Sequence, residues 1–247
     1  MASSSQYSSI QSIAWETGVQ AIKDSANFGS FDEFRHYLLN STAQNSETVR
    51  DRYSNLIIKR LFPEHRIDGL NPAVWRAYQD DKILIDLARL TTLEAEPVIA
   101  KFVQEYLFML PLGTLISSST IRDFISAVYG SFKEDSYKRL QASLIKMGYA
   151  IRSKQGVMVQ PIPRPDDAML IVLHARLAPT QRIIRVADIL PLPFWKLLGI
   201  QNESDVRAIL KQAETKRLIA RYAVVDQLEQ ITTHYSYAEY LRGAFRL

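Results

Sequence analysis

The sequence predicts a mainly α fold: a helical N-terminal bundle followed by winged-helix-like units with short β-hairpins. Apolar residues recur at helical spacing along most of the chain, which indicates amphipathic helices. Only 9 of the 247 residues are glycine, too few for the many tight turns of an all-β fold. In the second half, two strand–turn–strand patterns each follow a helical segment. Helix, helix and hairpin is the chain order of a winged helix-turn-helix.

The first half is predicted to consist of six helices, preceded by a polar tail. Ser46, or the asparagine before it, can cap the third helix, and Pro63 ends that helix. Pro72 and Pro97 are placed in the first turns of the fourth and sixth helices, where proline is favoured. The predicted helices cover about residues 10–22, 31–39, 46–62, 72–79, 81–90 and 97–110.

The first winged-helix-like pattern lies in the middle of the chain. Thr120 and Asp123 predict a capping box at the start of a helix. A second helix stops at Gly148, because glycine is the usual residue in the left-handed position after a helix. Strand-like residues 149–152 and 157–159 follow, with a polar corner between them. This order predicts two helices and a β-hairpin.

A weaker version of the same pattern follows. Asn202 and Asp205 predict the start of a helix, and residues 218–225 and 228–232 are strand-like. Residues 137–153 can be laid over residues 206–222. This overlay pairs Leu140 with Ile209, Leu144 with Ala213, Tyr149 with Leu218 and Arg152 with Arg221. Internal duplication and a chance likeness between amphipathic helices are both open explanations.

Proline-rich segments divide the second half. Residues 161–167 contain three prolines and cannot continue a helix or a central strand, so they form the best linker candidate. The predicted domains are therefore an N-terminal helical bundle at 1–112, a winged helix-turn-helix-like unit at 113–165 and a C-terminal helical, winged-helix-like unit at 166–247.

Composition excludes several classes of protein. The chain has no cysteine, which removes disulfides, thiolate metal sites and cysteine nucleophiles, and this agrees with a reducing, cytoplasmic compartment. The N-terminus has neither a basic start nor an apolar run typical of a secretory signal. The most apolar stretch, residues 106–116, is too short for a membrane helix, which needs about 20 residues. We expect no membrane span.

Motifs for catalysis are missing. The 4 histidines are scattered, without the helical pairing that metal ligation favours. There is no glycine-rich phosphate loop, dinucleotide fingerprint or nucleophile elbow. We therefore expect no catalytic residue, no metal site and no cofactor, and a protein that is not an enzyme.

Positive charge is concentrated in the two helix–hairpin patterns. The chain has a net charge of +4, but residues 80–105 carry three bases against six acids. Residues 131–154 carry six bases against two acids, and residues 176–222 carry nine against four. A recognition helix needs an apolar face to hold it and a basic or polar face to enter a groove. The alternative is a solvated basic face without a partner.

These basic residues predict contacts with the phosphates of duplex DNA, with both units presenting their cations together to one polyanion. Bases between Arg50 and Arg60 on the third helix are instead expected to be a solvated surface, since they do not share a face. The predicted DNA-binding residues are Lys133, Lys138, Arg139, Lys146, Arg152, Lys154, Arg207, Lys211 and Arg221.

A family resemblance supports this interpretation. The segments that carry it are Glu47-Thr48-Val49-Arg50-Asp51-Arg52, Ile58-Lys59-Arg60-Leu61, residues 97–105, residues 120–124, Ser136-Tyr137-Lys138-Arg139-Leu140 running to Gly148, and Trp195-Lys196-Leu197-Leu198-Gly199. Their order resembles the BrxA family of bacterial BREX anti-phage systems. Lys101 departs from the family pattern, because an acidic residue is expected there.

The resemblance implies a small helical accessory protein that binds double-stranded DNA in a multi-gene, restriction-like defence system. It also implies a helical core similar to that of NusB-type antitermination proteins, and it offers no catalytic residues. Two alternatives remain open from the residues. The basic faces could meet acidic surfaces of other BREX proteins, which would make the chain a protein–protein adaptor, or they could bind RNA.

Overall fold

A computed structural model describes residues 14–41, 46–130, 135–226 and 228–243. In these ranges the chain forms thirteen α-helices and two three-stranded antiparallel sheets. The predicted mainly α fold with short hairpins is confirmed. None of the helices in these ranges is long and apolar enough to cross a membrane.

The N-terminal half is a bundle of helices, as predicted, although the first residues of the first predicted helix lie outside the described ranges. The fifth helix is longer than expected. It begins after Asp80, whose Oδ1 accepts hydrogen bonds from the backbone N–H groups of Lys82 and Ile83 at 2.8 and 3.2 Å. The helices are α1 (Trp15–Asp24), α2 (Phe31–Ser41), α3 (Glu47–Leu61), α4 (Leu70–Tyr78), α5 (Asp81–Ala95) and α6 (Pro97–Glu105).

Arg60 on α3 corrects one prediction. It was expected on a solvated surface, but it is only 3% exposed. Its Nε donates a hydrogen bond to Glu96 Oε1 at 2.9 Å, just before the start of α6. A buried guanidinium needs such a carboxylate partner. Lys59 beside it is exposed.

The middle of the chain forms a winged-helix-like unit, here called the first unit (residues 97–159). It uses α6 as its first helix, and its sheet has the strand order β1-β3-β2. Helix, strand, two helices and a hairpin, with the first strand beside the last, is the winged-helix arrangement. The elements after α6 are β1 (Leu115–Ser117), α7 (Ser118–Tyr129), α8 (Asp135–Lys146), β2 (Ala150–Ser153) and β3 (Gly156–Val159).

Ser117 caps α7, so the predicted capping box at Thr120 and Asp123 is wrong. The Oγ of Ser117 accepts a hydrogen bond from the backbone N–H of Thr120 at 3.1 Å. The cap therefore lies three residues before the predicted one, at the end of β1. A short strand that runs straight into a helix leaves no separate loop for the sequence pattern to indicate.

The last part of the chain repeats this arrangement in a second unit (residues 166–232), with the strand order β4-β6-β5. Asn202 caps the helix that begins at Glu203, as predicted, since its Oδ1 accepts a hydrogen bond from the backbone N–H of Asp205 at 2.9 Å. The linker is shorter than predicted, because the next helix begins at Asp166. The elements are α9 (Asp166–Leu177), β4 (Ile183–Arg185), α10 (Val186–Ile189), α11 (Phe194–Leu197), α12 (Glu203–Thr215), β5 (Arg221–Val225) and β6 (Leu228–Thr232), followed by α13 (Tyr237–Leu241).

In both units, the helix before the hairpin ends in the same way. Gly148 after α8 and Arg217 after α12 both adopt left-handed backbone conformations, with φ of 75° and 58°. In both cases the backbone N–H of the next residue donates a hydrogen bond to a carbonyl of the helix. Tyr149 donates to Leu144 at 2.9 Å, and Leu218 donates to Ala213 at 2.8 Å. These pairs are related by the predicted overlay, so the overlay holds at the helix ends.

In the strands the overlay slips by one residue. Arg152 lies opposite Val157, the buried central-strand residue of the first sheet. The equivalent buried residue of the second sheet, Ile231, lies opposite Tyr222 and not opposite Arg221. Successive side chains of a strand point to opposite faces. Arg221 therefore lies on the other face of its sheet from the one that Arg152 occupies in the first unit.

Arg89 on α5 attaches the end of α8 to the helical bundle. Its Nε donates to the carbonyl oxygen of Met147 at 2.7 Å, and its Nη1 donates to Asp86 Oδ1 at 3.1 Å. The guanidinium carbon lies 5.3 Å from the centre of the Tyr149 ring. The bundle and the first unit thus pack through a polar contact, and the predicted domain boundaries stay a prediction.

We predict that Gly148→Ala destabilises the protein more than Gly113→Ala. Both glycines have φ near +75° (75° and 78°), which costs an alanine about 1–2 kcal/mol. A Cβ on Gly148 would also lie 2.8 Å from Arg89 Nη2, whereas a Cβ on Gly113 meets nothing within 4 Å. Urea unfolding of the two variants measures the difference. Equal losses would mean that Arg89 moves aside without cost.

His174 on α9 is part of the core. Its ring is fully buried and stacks on Tyr240 of α13, with centroids 4.1 Å apart. Its Nδ1 lies 2.9 Å from the carbonyl oxygen of Leu170, and its Nε2 is buried without a hydrogen-bond partner. Burial lowers the pKa of His174 below its ordinary value.

We predict that this histidine makes the protein less stable in acid. Since the folded-state pKa is lowered, its stability contribution is fully present above the unfolded pKa of about 6.5 and falls as the pH drops below it. The free energy of unfolding, measured from pH 7 to pH 5, should therefore fall less in His174→Phe than in the wild type. The exposed His36→Gln serves as the control and should follow the wild type. A wild-type slope in His174→Phe would refute the prediction.

Candidate nucleic-acid interface

Three of the predicted cations line one cleft, between α8 and the hairpin of β2 and β3. They are Lys138 on α8, Arg152 on β2 and Lys154 in the turn of the hairpin. The cleft is open to solvent, has a volume of about 370 Å³, and none of the described residues that line it is acidic. Its other lining residues are Ser118, Tyr137, Gln141, Ala142, Ile145, Ser153, Gly156 and Val157.

Local folding explains why these side chains converge. Leu140 and Leu144 bury the inner face of α8, which leaves Lys138 and Gln141 on the opposite face. Arg152 lies on the face of the sheet that carries buried core residues, but at the edge strand, where its long side chain reaches solvent. A helix and a hairpin thus contribute cations to one concave surface.

Within the described part of the chain, these cations have little opposing charge. Lys138 Nζ lies 4.0 Å from Asp135 Oδ1, and both side chains are more than half exposed. Such an exposed pair contributes only about 0–1 kcal/mol, so Lys138 can exchange Asp135 for a stronger anion. Arg152 and Lys154 are exposed and form no ion pair with any described residue.

The sequence analysis missed an aromatic and polar part of this cleft. Two cations lie near the Tyr137 ring: the guanidinium carbon of Arg122 is 4.3 Å from its centre and Lys138 Nζ is 5.9 Å from it. Gln141 Nε2 donates to Ser118 Oγ at 2.8 Å, which links α8 to the start of α7. Arg122 was missed because it lies outside the basic segments at residues 131–154 and 176–222. In a helix-turn-helix the first helix crosses the DNA backbone, so the predicted order of elements already indicated that the charges of α7 matter.

Two other predicted cations of the first unit, Lys146 and Arg139, do not line the cleft. Lys146 Nζ lies 3.1 Å from Glu16 Oε2, so it connects α8 to α1 in the bundle. Arg139 Nη2 lies 4.0 Å from Asp135 Oδ2. Lys133 lies outside the described residues.

The second unit presents its cations differently. Arg207, the overlay partner of Lys138, donates to Glu229 at 2.7 Å and to Glu203 at 3.1 Å. Lys211 lies over the ring of Tyr222, 5.5 Å from its centre. Arg221 lies on the opposite face of its sheet. None of these three cations is among the residues that line the cleft of the first unit.

The described residues contain no group of three or more histidine, aspartate or glutamate side chains that could hold a metal ion. Comparisons with protein-family models, with curated proteins and with solved structures find no match to this chain. The resemblance to the BrxA family rests on short motifs and stays a prediction. Function is therefore argued from the geometry of the cleft.

We predict that Arg207 is occupied by its carboxylate partners in solution. Its hydrogen bond to Glu229 holds the pKa of that carboxyl below its ordinary value. Arg207→Gln should raise the pKa of Glu229 clearly, whereas Lys211→Gln, which removes only a weaker and more distant charge, should change it little. Titration of the Glu229 carboxyl by NMR measures both. An unchanged pKa in Arg207→Gln would mean that Arg207 is available to a polyanion.

Proposed function

We propose that this chain is a non-catalytic protein that binds double-stranded DNA through the cleft of the first unit. The observation that carries the proposal is the convergence of Lys138, Arg152 and Lys154 on one surface whose described lining contains no acid. In winged-helix proteins the helix equivalent to α8 enters the groove, and the hairpin lies along the phosphates. Lys138 then approaches the groove, and Arg152 and Lys154 contact the backbone.

The shape of the cleft favours duplex DNA over RNA. The major groove of B-form DNA is about 12 Å wide and admits an α-helix, whereas that of A-form RNA is deep and narrow. Proteins that bind single strands use aromatic platforms for successive bases. Among the described residues that line the cleft, Tyr137 is the only aromatic one.

Most of the affinity in this proposal comes from phosphate contacts, which depend on salt and carry no sequence information. Gln141 is the uncharged polar residue of α8 in the cleft, and an amide side chain can pair with the edge of adenine. We therefore propose Gln141 as the residue that faces the bases.

We infer the biological setting from the sequence resemblance alone. It assigns the chain to a bacterial BREX anti-phage system, where it would act in the cytoplasm as an accessory protein beside other BREX proteins. The test is genomic: the neighbouring genes should encode a methyltransferase and a large ATPase. Their absence would remove the setting and leave the proposal of DNA binding intact.

We predict that charge removal in the cleft weakens DNA binding and its salt dependence together. The slope of log K against log salt is negative, and it should become less steep by about 0.9 in each of Lys138→Gln, Arg152→Gln and Lys154→Gln, because each substitution removes about one phosphate contact. The measurement is fluorescence anisotropy of a labelled DNA duplex at several salt concentrations.

Two variants serve as controls for this experiment. Arg207→Gln changes the overlay partner of Lys138, and Lys59→Gln changes an exposed base of α3; both should leave affinity and slope at wild-type values. No binding to the duplex at low salt would refute the proposal. So would displacement of the duplex by single-stranded RNA at lower concentration than by unlabelled duplex, which would favour RNA as the ligand.

A further inference from the structure

The hairpin of the second unit has an apolar tip. Val224, Val225 and Leu228 are 60%, 57% and 46% exposed. At the hairpin of the first unit, the corresponding end carries Ser153 and Lys154. Val225 and Leu228 lie opposite each other in the hairpin, and exposed apolar side chains that lie together mark interaction sites more often than single ones do.

The strand that carries two of these residues is an edge strand. β5 pairs with β6 on one side only, and no described residue forms a backbone hydrogen bond with its other side. Natural proteins protect edge strands with charges, prolines or bulges. From Tyr222 to Val225, β5 has none of these, and valines favour the extended conformation that strand addition needs.

The surroundings of β5 are positively charged. Arg221 at its start is exposed and forms no ion pair with any described residue. Residues 211–217, at the end of α12 and in the turn that leads into β5, add Lys211, Lys216 and Arg217, all exposed, against Glu214, and one exposed acid, Asp226, follows β5. In contrast, Arg207 is already paired, with Glu203 on its own helix and with Glu229 on β6.

We propose that β5 is a docking edge for an extended, acidic segment of a partner protein, which adds to the sheet as a fourth strand. Backbone hydrogen bonds to β5 would supply affinity, apolar side chains on one face would meet Val224, and acidic side chains on the other face would meet Arg221 and its neighbours. This proposal is independent of DNA binding by the first unit. It gives the second unit a role that its paired Arg207 does not support for DNA.

The same observations disfavour two other occupants. A second copy of this chain would bring the positively charged surroundings of both β5 strands together, which repel. A nucleic acid would leave Val224, Val225 and Leu228 without apolar partners. Tyr222 and Val224 lie on one face of the sheet and Arg221 and Val225 on the other, so an added strand with alternating residues places its apolar side chains beside Val224 and its acidic side chains beside Arg221.

The test uses a fluorescein-labelled synthetic peptide of about six residues in which glutamate and valine alternate, the length of an ordinary strand. Anisotropy measures its binding to the full chain. A peptide with the same sequence, N-methylated at the amides of one edge, should bind at least about tenfold more weakly, because it loses two or three backbone hydrogen bonds. Arg221→Glu should weaken binding to a similar extent.

Val225→Glu, which places a carboxylate on the face of β5 that meets the acidic side chains of the peptide, should also weaken peptide binding about tenfold. The matched control is Ile151→Glu, the same kind of change on the exposed edge strand of the first unit; it should leave peptide binding unchanged. Thermal unfolding of both variants verifies that they fold. Equal weakening by the two glutamate substitutions would overturn the proposal.

Three other outcomes would also overturn it. The first is equal binding of the N-methylated peptide, because strand addition requires its amides. The second uses a triple variant with Lys138→Gln, Arg152→Gln and Lys154→Gln, which lacks the cations of the cleft. If duplex DNA displaces the peptide from this variant, the edge binds nucleic acid. The third is absence of peptide binding together with a dimer in sedimentation that Val225→Glu dissociates, which would make the occupant a second copy.

Discussion

The position of α8, and with it the cleft, depends on the guanidinium of Arg89. Its Nε donates a hydrogen bond to the backbone carbonyl oxygen of Met147, directly after α8, and its Nη1 donates to the carboxylate of Asp86 on α5. Asp86 is only 6% exposed; burial raises its pKa and Arg89 opposes that rise. Removing one partner of a buried ion pair costs about 3–5 kcal/mol, so the contact is expensive to break. The absence of a Cβ at Gly148 lets the chain turn directly against this guanidinium.

The two units show how one topology presents two different surfaces. They share strand order and helix ending, yet one additional residue between helix and strand turns Arg221 away from the face that Arg152 occupies. A single carboxylate, Glu229, then holds Arg207 at 2.7 Å. Charge totals over the two sequence segments are similar, but they do not show which cations a ligand can reach. The proposed division into a DNA-binding unit and a protein-docking unit follows from this difference.

Features that depend on near neighbours were predicted well. Gly148 and Asn202 end and begin helices through contacts within a few residues, and both hairpins follow from strand patterns separated by polar corners. The errors occur where a distant residue intervenes. The cap of α7 belongs to Ser117 because β1 pairs with β3 about forty residues later, and Arg60 is buried because Glu96 from the next part of the bundle meets it.

The order of elements, the helix ends and the location of basic segments are all readable from the chain, because they arise from local periodicity and capping. Which bases remain available is not. Lys146 meets Glu16 across 130 positions, Arg207 meets Glu229 across 22, and the face that Arg221 occupies depends on strand register. Ion pairs and register form only when remote segments pack together, so the tertiary structure alone selects Lys138, Arg152 and Lys154 from the predicted cations.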